Sequence, residues 1–274
     1  MGQAGNLRRR RLSFLRRKKR RDRAQSMTIM EHLGELRTRL IVSAVAFVVV
    51  SAVAFAFYEP IFEFIRRPLC DLPPDKLGPQ GCDLIAIKPL EAFQVRIKVS
   101  VLAGIVLASP IWLYQLWAFI VPGLNEKERK YAIPFVGSSL LLFATGATFA
   151  YLTLARGLSF LIGLGGHGLV PFFQADTYIN FVGLMIIAFG LTFELPLILL
   201  FLGLVGVVSV GWLRRQRRAA IVLIALLSAV VTPSQDPYTF LAMGIPLYGL
   251  YELATGILGL VERRRARKAA KSGA

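Results

Sequence analysis

Residues 179–210 read INFVGLMIIAFGLTFELPLILLFLGLVGVVSV, 32 positions carrying one charged side chain, Glu194. About 20 consecutive apolar residues, rising 1.5 Å each in a helix, cross the hydrocarbon of a bilayer, so this stretch is long enough to span. A carboxylate at that depth is costly on any scale and is held there for a partner, a proton or an ion. Two positions on, Pro196 cannot donate to the carbonyl at i−4, so the helix bends and an acceptor is freed nearby.

Five more apolar runs lie outside it, at 40–58, 99–121, 131–154, 219–231 and 238–261. With 55% hydrophobic residues and a mean hydropathy of +0.58, the chain falls outside ordinary soluble composition. The expected fold is all-α: a polytopic membrane protein with six transmembrane helices. Lysine and arginine set its orientation. Of the 33 basic residues, 26 fall on the termini and the even-numbered loops and seven on the other side, which places both termini in the cytoplasm of a prokaryotic cell membrane.

The net charge of +17 does not signal nucleic acid, because the excess flanks the spans, where it orients the protein and favours anionic headgroups. Three segments follow: 1–26, a basic, disordered cytoplasmic extension; 27–262, the six-helix membrane domain; and 263–274, a basic tail. Met1 and Met27 both stay open as the start. The run at 219–231 is short, about 20 Å against about 30 Å of hydrocarbon, so the bilayer must thin there or the flanking arginines snorkel.

Prolines mark several spans: Pro110 in mid-span, Pro122 closing the second, Pro134 just inside the third, and Pro246 interrupting the sixth. Cys70 and Cys82 share the loop after the first span, outside the cytoplasm. A disulfide there would be worth about 3 kcal/mol in the chain-entropy view, and two free thiols are the alternative.

Enzyme readings lack parts. There is no Gly-x-Ser-x-Gly elbow, Walker A sequence or His-Glu-x-x-His, and all six aspartates lie outside the spans. His32 and His167 fall on opposite sides of the membrane, so no metal site or cofactor is expected. Three acidic positions stand out on the basic face, Glu35, Glu126 and Glu128, of which Glu126 reads as an ordinary solvated loop charge. Glu35 lies within an interfacial amphipathic helix carrying Leu33, Leu36 and Leu40, four residues before Arg39, an ordinary salt-bridge spacing. Glu128 lies in the charged loop after Pro122.

In this order, the segments His32–Leu40, Pro68-Leu69, Pro110 with Tyr114–Leu124, Glu128-Arg129, Phe193-Glu194-Leu195-Pro196, Thr232–Pro237 and Ile245-Pro246-Leu247 resemble TatC, the receptor subunit of the twin-arginine protein translocase. The resemblance runs from Met27 to about Glu262. It implies a core receptor and scaffold that binds twin-arginine signal peptides and assembles with TatA-like and TatB-like single-span subunits. Folded proteins would be exported at the expense of the proton motive force, and the receptor would be a homo-oligomer within the complex. Carried over by position, Glu35, Arg37, Phe119, Pro122, Leu124 and Glu128 form the signal-peptide site, where carboxylates take guanidinium in a geometry lysine cannot reproduce.

The same resemblance puts Glu194, beside Pro196, in a concave intramembrane pocket formed by kinked helices, where it meets a partner helix. Glu252 is a second intramembrane carboxylate, with a structural hydrogen bond as its role. Pro68 and Asp236 are extracytoplasmic structural positions. Phe240 stands where some members carry a polar residue. A rival from another class is a proton-coupled secondary transporter of a small solute, for which Glu194 beside a proline is suited but the missing inverted repeat is not.

Overall fold

The computed structural model describes residues 29–120, 132–165, 171–232 and 236–272. Among them there is no strand, only isolated bridges at Gly78–Gly81 and Ile85–Gln174. Among the described residues there are ten α-helices: α1 (Ile29–Ala56), α2 (Tyr58–Cys70), α3 (Glu91–Leu107), α4 (Ser109–Ile120), α5 (Ala132–Leu164), α6 (Ala175–Thr192), α7 (Leu195–Val205), α8 (Val210–Arg215), α9 (Arg217–Val231) and α10 (Pro237–Ser272). Four stretches are long and apolar enough to cross a membrane, namely His32–Ala56, Ile133–Leu164, Ala175–Val205 and Pro237–Arg267. A fifth is the pair α3 and α4, bent by 50°. The remaining expected span, fifth in chain order, is α9, whose 15 residues fall short of that length.

Contacts fix the running directions. Arg39 of α1 reaches Gln115 of α4, and Arg96 of α3 reaches the Phe55 carbonyl at the other end of α1, so α1 and the α3–α4 pair are antiparallel. Gly146 faces Phe189 and Ser139 faces Glu194, which makes α5 and α6 antiparallel. In α9 and α10, Arg217 meets Glu252 and Ser228 lies against Gly244, again antiparallel. The main core gathers α2, α3, α5 and α6 around Leu69, Val99, Leu154, Val182 and Phe189, all nearly inaccessible. Small residues permit the close approaches. A Cβ on Gly146 would sit 2.7 Å from the Phe189 carbonyl oxygen, and one on Gly190 would sit 2.7 Å from the Phe143 ring. This is how helices pack where lipid offers no hydrophobic drive between them.

Breaks are local and have stated causes. Pro110 bends its span, but the break lies at Ala108, just before Ser109 and Pro110 begin α4. Pro196 is the second residue of α7, where a missing N–H costs nothing, so it opens a new helix behind the break at Phe193 and Glu194. Helix α7 ends at Gly206, whose φ of +86° suits a residue without a side chain.

Two expectations are corrected. The amphipathic segment with Leu33, Leu36 and Leu40 is not a separate interfacial helix; α1 runs unbroken from Ile29, since no proline interrupts it and Gly34 alone does not end a helix. Pro246 does not interrupt its span, because α10 passes straight through it. The basic segment from residue 263 continues α10 as helix to Ser272. Residues 1–28, with Met27, lie outside the described residues.

Candidate functional site

Two polar sites flank the helix breaks. The first lies where α1 begins and α4 ends. Arg39 donates from Nε to Glu35 Oε1 at 3.0 Å, adds Nη2 to the same oxygen, and gives Nη1 to Gln115 Oε1 at 3.2 Å. The i,i+4 pair is thus made, and it leaves Glu35 half used. Its Oε2 is buried and has no hydrogen-bond partner among the described residues. One turn earlier His32 stacks on Phe119, with centroids 4.4 Å apart and planes 17° from parallel. Beneath them Trp117, buried against Phe135 and Phe201, anchors α4. Arg37 is exposed. The structure therefore brings Glu35, Phe119 and Gln115 to one corner, while Pro122, Leu124 and Glu128 lie outside the described residues.

The second site is the break between α6 and α7. Glu194 is 7% exposed and accepts a hydrogen bond from Ser139 Oγ of α5 at 2.7 Å; its Oε1 is buried with no partner among the described residues. In the isolated chain the carboxyl is turned in on α5, not displayed on an open wall. Beside it runs an apolar groove of about 480 Å³ between α5, α7 and α10, lined by Gly137, Ser138, Pro196, Leu200, Leu253 and Ala254 among others. Glu252 is occupied, taking the Tyr248 hydroxyl at 3.0 Å and Arg217 Nη2 at 2.7 Å.

At the opposite end of the bundle the polar groups hold backbone. Pro68 is buried inside α2. Asp236 caps α10 by accepting the Thr239 N–H at 2.8 Å as well as the Thr239 hydroxyl. Cys70, the last residue of α2, is joined to Cys82 by a disulfide with Cα atoms 4.9 Å apart. Sequence reasoning missed Glu91. It is buried and accepts the N–H groups of Ile87 at 2.8 Å, Lys88 at 3.0 Å and Asp176 at 3.2 Å, tying the loop before α3 to the start of α6. Its signal was an acidic residue in the first helical turn, two positions after Pro89.

Long apolar helices bundled around half-satisfied carboxyls, Glu35 in the second turn of α1 and Glu194 at the α6–α7 break, define an integral membrane protein. Comparison with known proteins supplies the family. The model for TatC, Sec-independent protein translocase protein, matches residues 31–246. A TatC of Frankia casuarinae is 48% identical over 248 residues, 88% of this chain and 68% of that protein. One from Aquifex aeolicus is 38% identical over 249 residues, 90% of this chain and all of that protein. A crystal structure of the twin-arginine translocase receptor TatC superposes with a TM-score of 0.70 at 39% identity, covering 84% of this chain and 99% of that one. The chain belongs to the TatC family. Its place is in Sec-independent, twin-arginine protein transport across a membrane, and the solute-carrier reading falls away.

Proposed function

We propose that this chain is the receptor and scaffold of a twin-arginine translocase, a six-span protein of a prokaryotic cell membrane with both termini in the cytoplasm. The observation that carries the receptor role is the buried Glu35 oxygen that has no partner among the described residues. A buried carboxylate oxygen without a donor is costly, and an incoming guanidinium satisfies it with a charge-assisted bond. Arg39, itself held by Gln115, keeps the carboxylate in place, and the His32–Phe119 stack offers an apolar shoulder for residues following the arginine pair. Arg37, Pro122, Leu124 and Glu128 complete the site, with Glu128 as the second carboxylate.

At Glu194 a single-span partner helix of the TatA or TatB kind lies in the groove between α5, α7 and α10 and gives its polar side chain to Oε1. The short α9 supports this scaffold as a sixth crossing that thins the bilayer near the site of recruitment. Further partner subunits, recruited under the proton motive force, then open the path for folded cargo.

The test is binding of a purified twin-arginine signal peptide and of its Lys-Lys variant to the detergent-solubilised protein. Tight binding of the first, clear loss with the second, and loss with Glu35→Ala or Glu128→Ala support the receptor reading. Equal binding of both peptides, or intact binding in both variants, overturns it.

A further inference from the structure

Helix α2 forms one wall of an apolar cavity of about 400 Å³, where Ile61, Phe64 and Ile65 face Leu102 of α3, Ala147 of α5 and Ile186 of α6. The helix is held at three places. Where it leaves α1, Arg96 of α3 donates to the Phe55 carbonyl at 3.3 Å and lays its guanidinium over the rings of Phe55 and Tyr58, at 4.6 and 5.2 Å. In its middle two tyrosine hydroxyls reach it. Pro68 has no N–H for the carbonyl four residues back, so the Phe64 carbonyl is left open, and Tyr151 of α5 donates to it at 2.7 Å. Tyr178 of α6 donates to the next carbonyl, that of Ile65, at 2.9 Å. At its far end Cys70 is bonded to Cys82.

That bond couples α2 to α6. Past Cys82 the chain runs on to Ile85, whose N–H donates to the Phe173 carbonyl at 3.0 Å and whose carbonyl accepts the Ala175 N–H at 2.9 Å, at the start of α6. The ring closed by the sulfurs, twelve positions from cysteine to cysteine, has moorings of its own. Lys76 donates to the Ser159 carbonyl at 2.9 Å and its hydroxyl at 2.7 Å, and Gln80 donates to the Pro171 carbonyl at 3.2 Å. These do not depend on the sulfurs. A second link from α2 to the segment after Cys82 is Arg66 with Asp83, a carboxylate 77% exposed, where water competes with the ion pair. Cys70 is exposed and Cys82 half-buried, so an external thiolate has access to the bond in the folded protein.

We propose that the Cys70–Cys82 bond is a redox lock on the α2 wall of this cavity: its reduction frees the end of α2 from the start of α6, while Arg96 keeps the other end in place. A dithiol supplies the electrons. Its thiolate attacks the sulfur of Cys70, forming a mixed disulfide and releasing Cys82 as a thiolate, and its second thiol then displaces Cys70. Two electrons and two protons pass to the cysteine pair, and the reductant leaves as a cyclic disulfide. The device is local to one end of the bundle. Glu35 and Arg39 lie at the other end of α1 from Phe55 and take no part.

The test is hydrogen exchange, resolved to single amides, on the full chain in detergent before and after a millimolar dithiol, with alkylation counting the thiols. The amides of Asp71, bonded to Arg67 at the end of α2, and of Ile85 and Ala175 should exchange on the order of tenfold faster in the reduced protein. The Thr239 amide, held by Asp236 in another loop, should keep its rate. Cys70→Ser with Cys82→Ser should reproduce the fast exchange without reductant. Reduction that leaves the three amides protected overturns the proposal, as does a bond that the dithiol opens only in denaturant. So does an equal acceleration at Thr239, which would mean that the bond stabilises the whole chain and locks no part of it.

Discussion

Ser139 shows how one small side chain conditions a functional one. It is fully buried and donates to the Glu194 carboxyl at 2.7 Å, leaving the other oxygen unpaired among the described residues. Removing the donor leaves both oxygens without one, which costs about 1–3 kcal/mol for a buried group. Ser139→Ala should therefore lower the melting temperature of the purified protein in detergent, whereas Glu194→Gln, which keeps an acceptor for Ser139, should leave it nearly unchanged. Equal melting of Ser139→Ala and the parent would show that the bond contributes nothing. Glu194 was legible because it is the single charge in 32 apolar residues. Ser139 was not, because a serine in a membrane helix more often bonds its own backbone and carries no long-range signal. Glu91 was hidden for another reason: its partners are N–H groups, which have no letter in a sequence.

Among elements, glycines and prolines decided how closely helices meet and where they break, and these were only partly legible. Pro110 and Pro196 both mark real breaks, yet each sits in the first turn of the following helix, and the break precedes it. Pro246 breaks nothing, because a proline in a long supported helix is tolerated when its neighbours satisfy the freed carbonyl. The glycine pattern was unreadable without the packing. Gly146 meets the Phe189 carbonyl, while Gly137, nine residues away on the same α5, has nothing within 4 Å of where a Cβ would stand. Gly146→Ala should push α5 and α6 apart at about 1–3 kcal/mol, seen as a lower melting temperature and faster proteolysis, and Gly137→Ala should be neutral. Equal effects at the two positions would remove the close approach as the cause.

For the whole molecule, the basic-residue asymmetry and the alternation of helix directions make the same prediction. If α9 is a sixth crossing, the start of α1 and the end of α10 share a side; if it is not, they face opposite sides. Met30→Cys and Ala270→Cys should be reached by an impermeant thiol reagent only after permeabilisation, and Asp75→Cys in intact spheroplasts. Labelling of position 270 from outside, with position 30 protected, would mean that α9 turns back. Four of the six expected spans, and a fifth as the bent α3–α4 pair, were legible because membrane helices must satisfy their own backbone and therefore announce themselves by length. The shortness of α9 was legible too. The disulfide partners were visible as a pair of cysteines in one loop, but the joining of Cys70 to Cys82 became definite only with the Cα atoms 4.9 Å apart.

Helix α10 has a mechanical consequence. It is 36 residues long, about 54 Å, and passes through Pro246 without a break, so its buried half and its basic tip move as one rod. Near the level where the rod leaves the bilayer, Glu262 holds the Val210 N–H and Arg265 holds the Leu204 carbonyl, and these two bonds act as a fulcrum against the α7–α8 corner. One continuous helix and these two bonds thus tie the arginines of the tip to the helices that wall the groove beside Glu194.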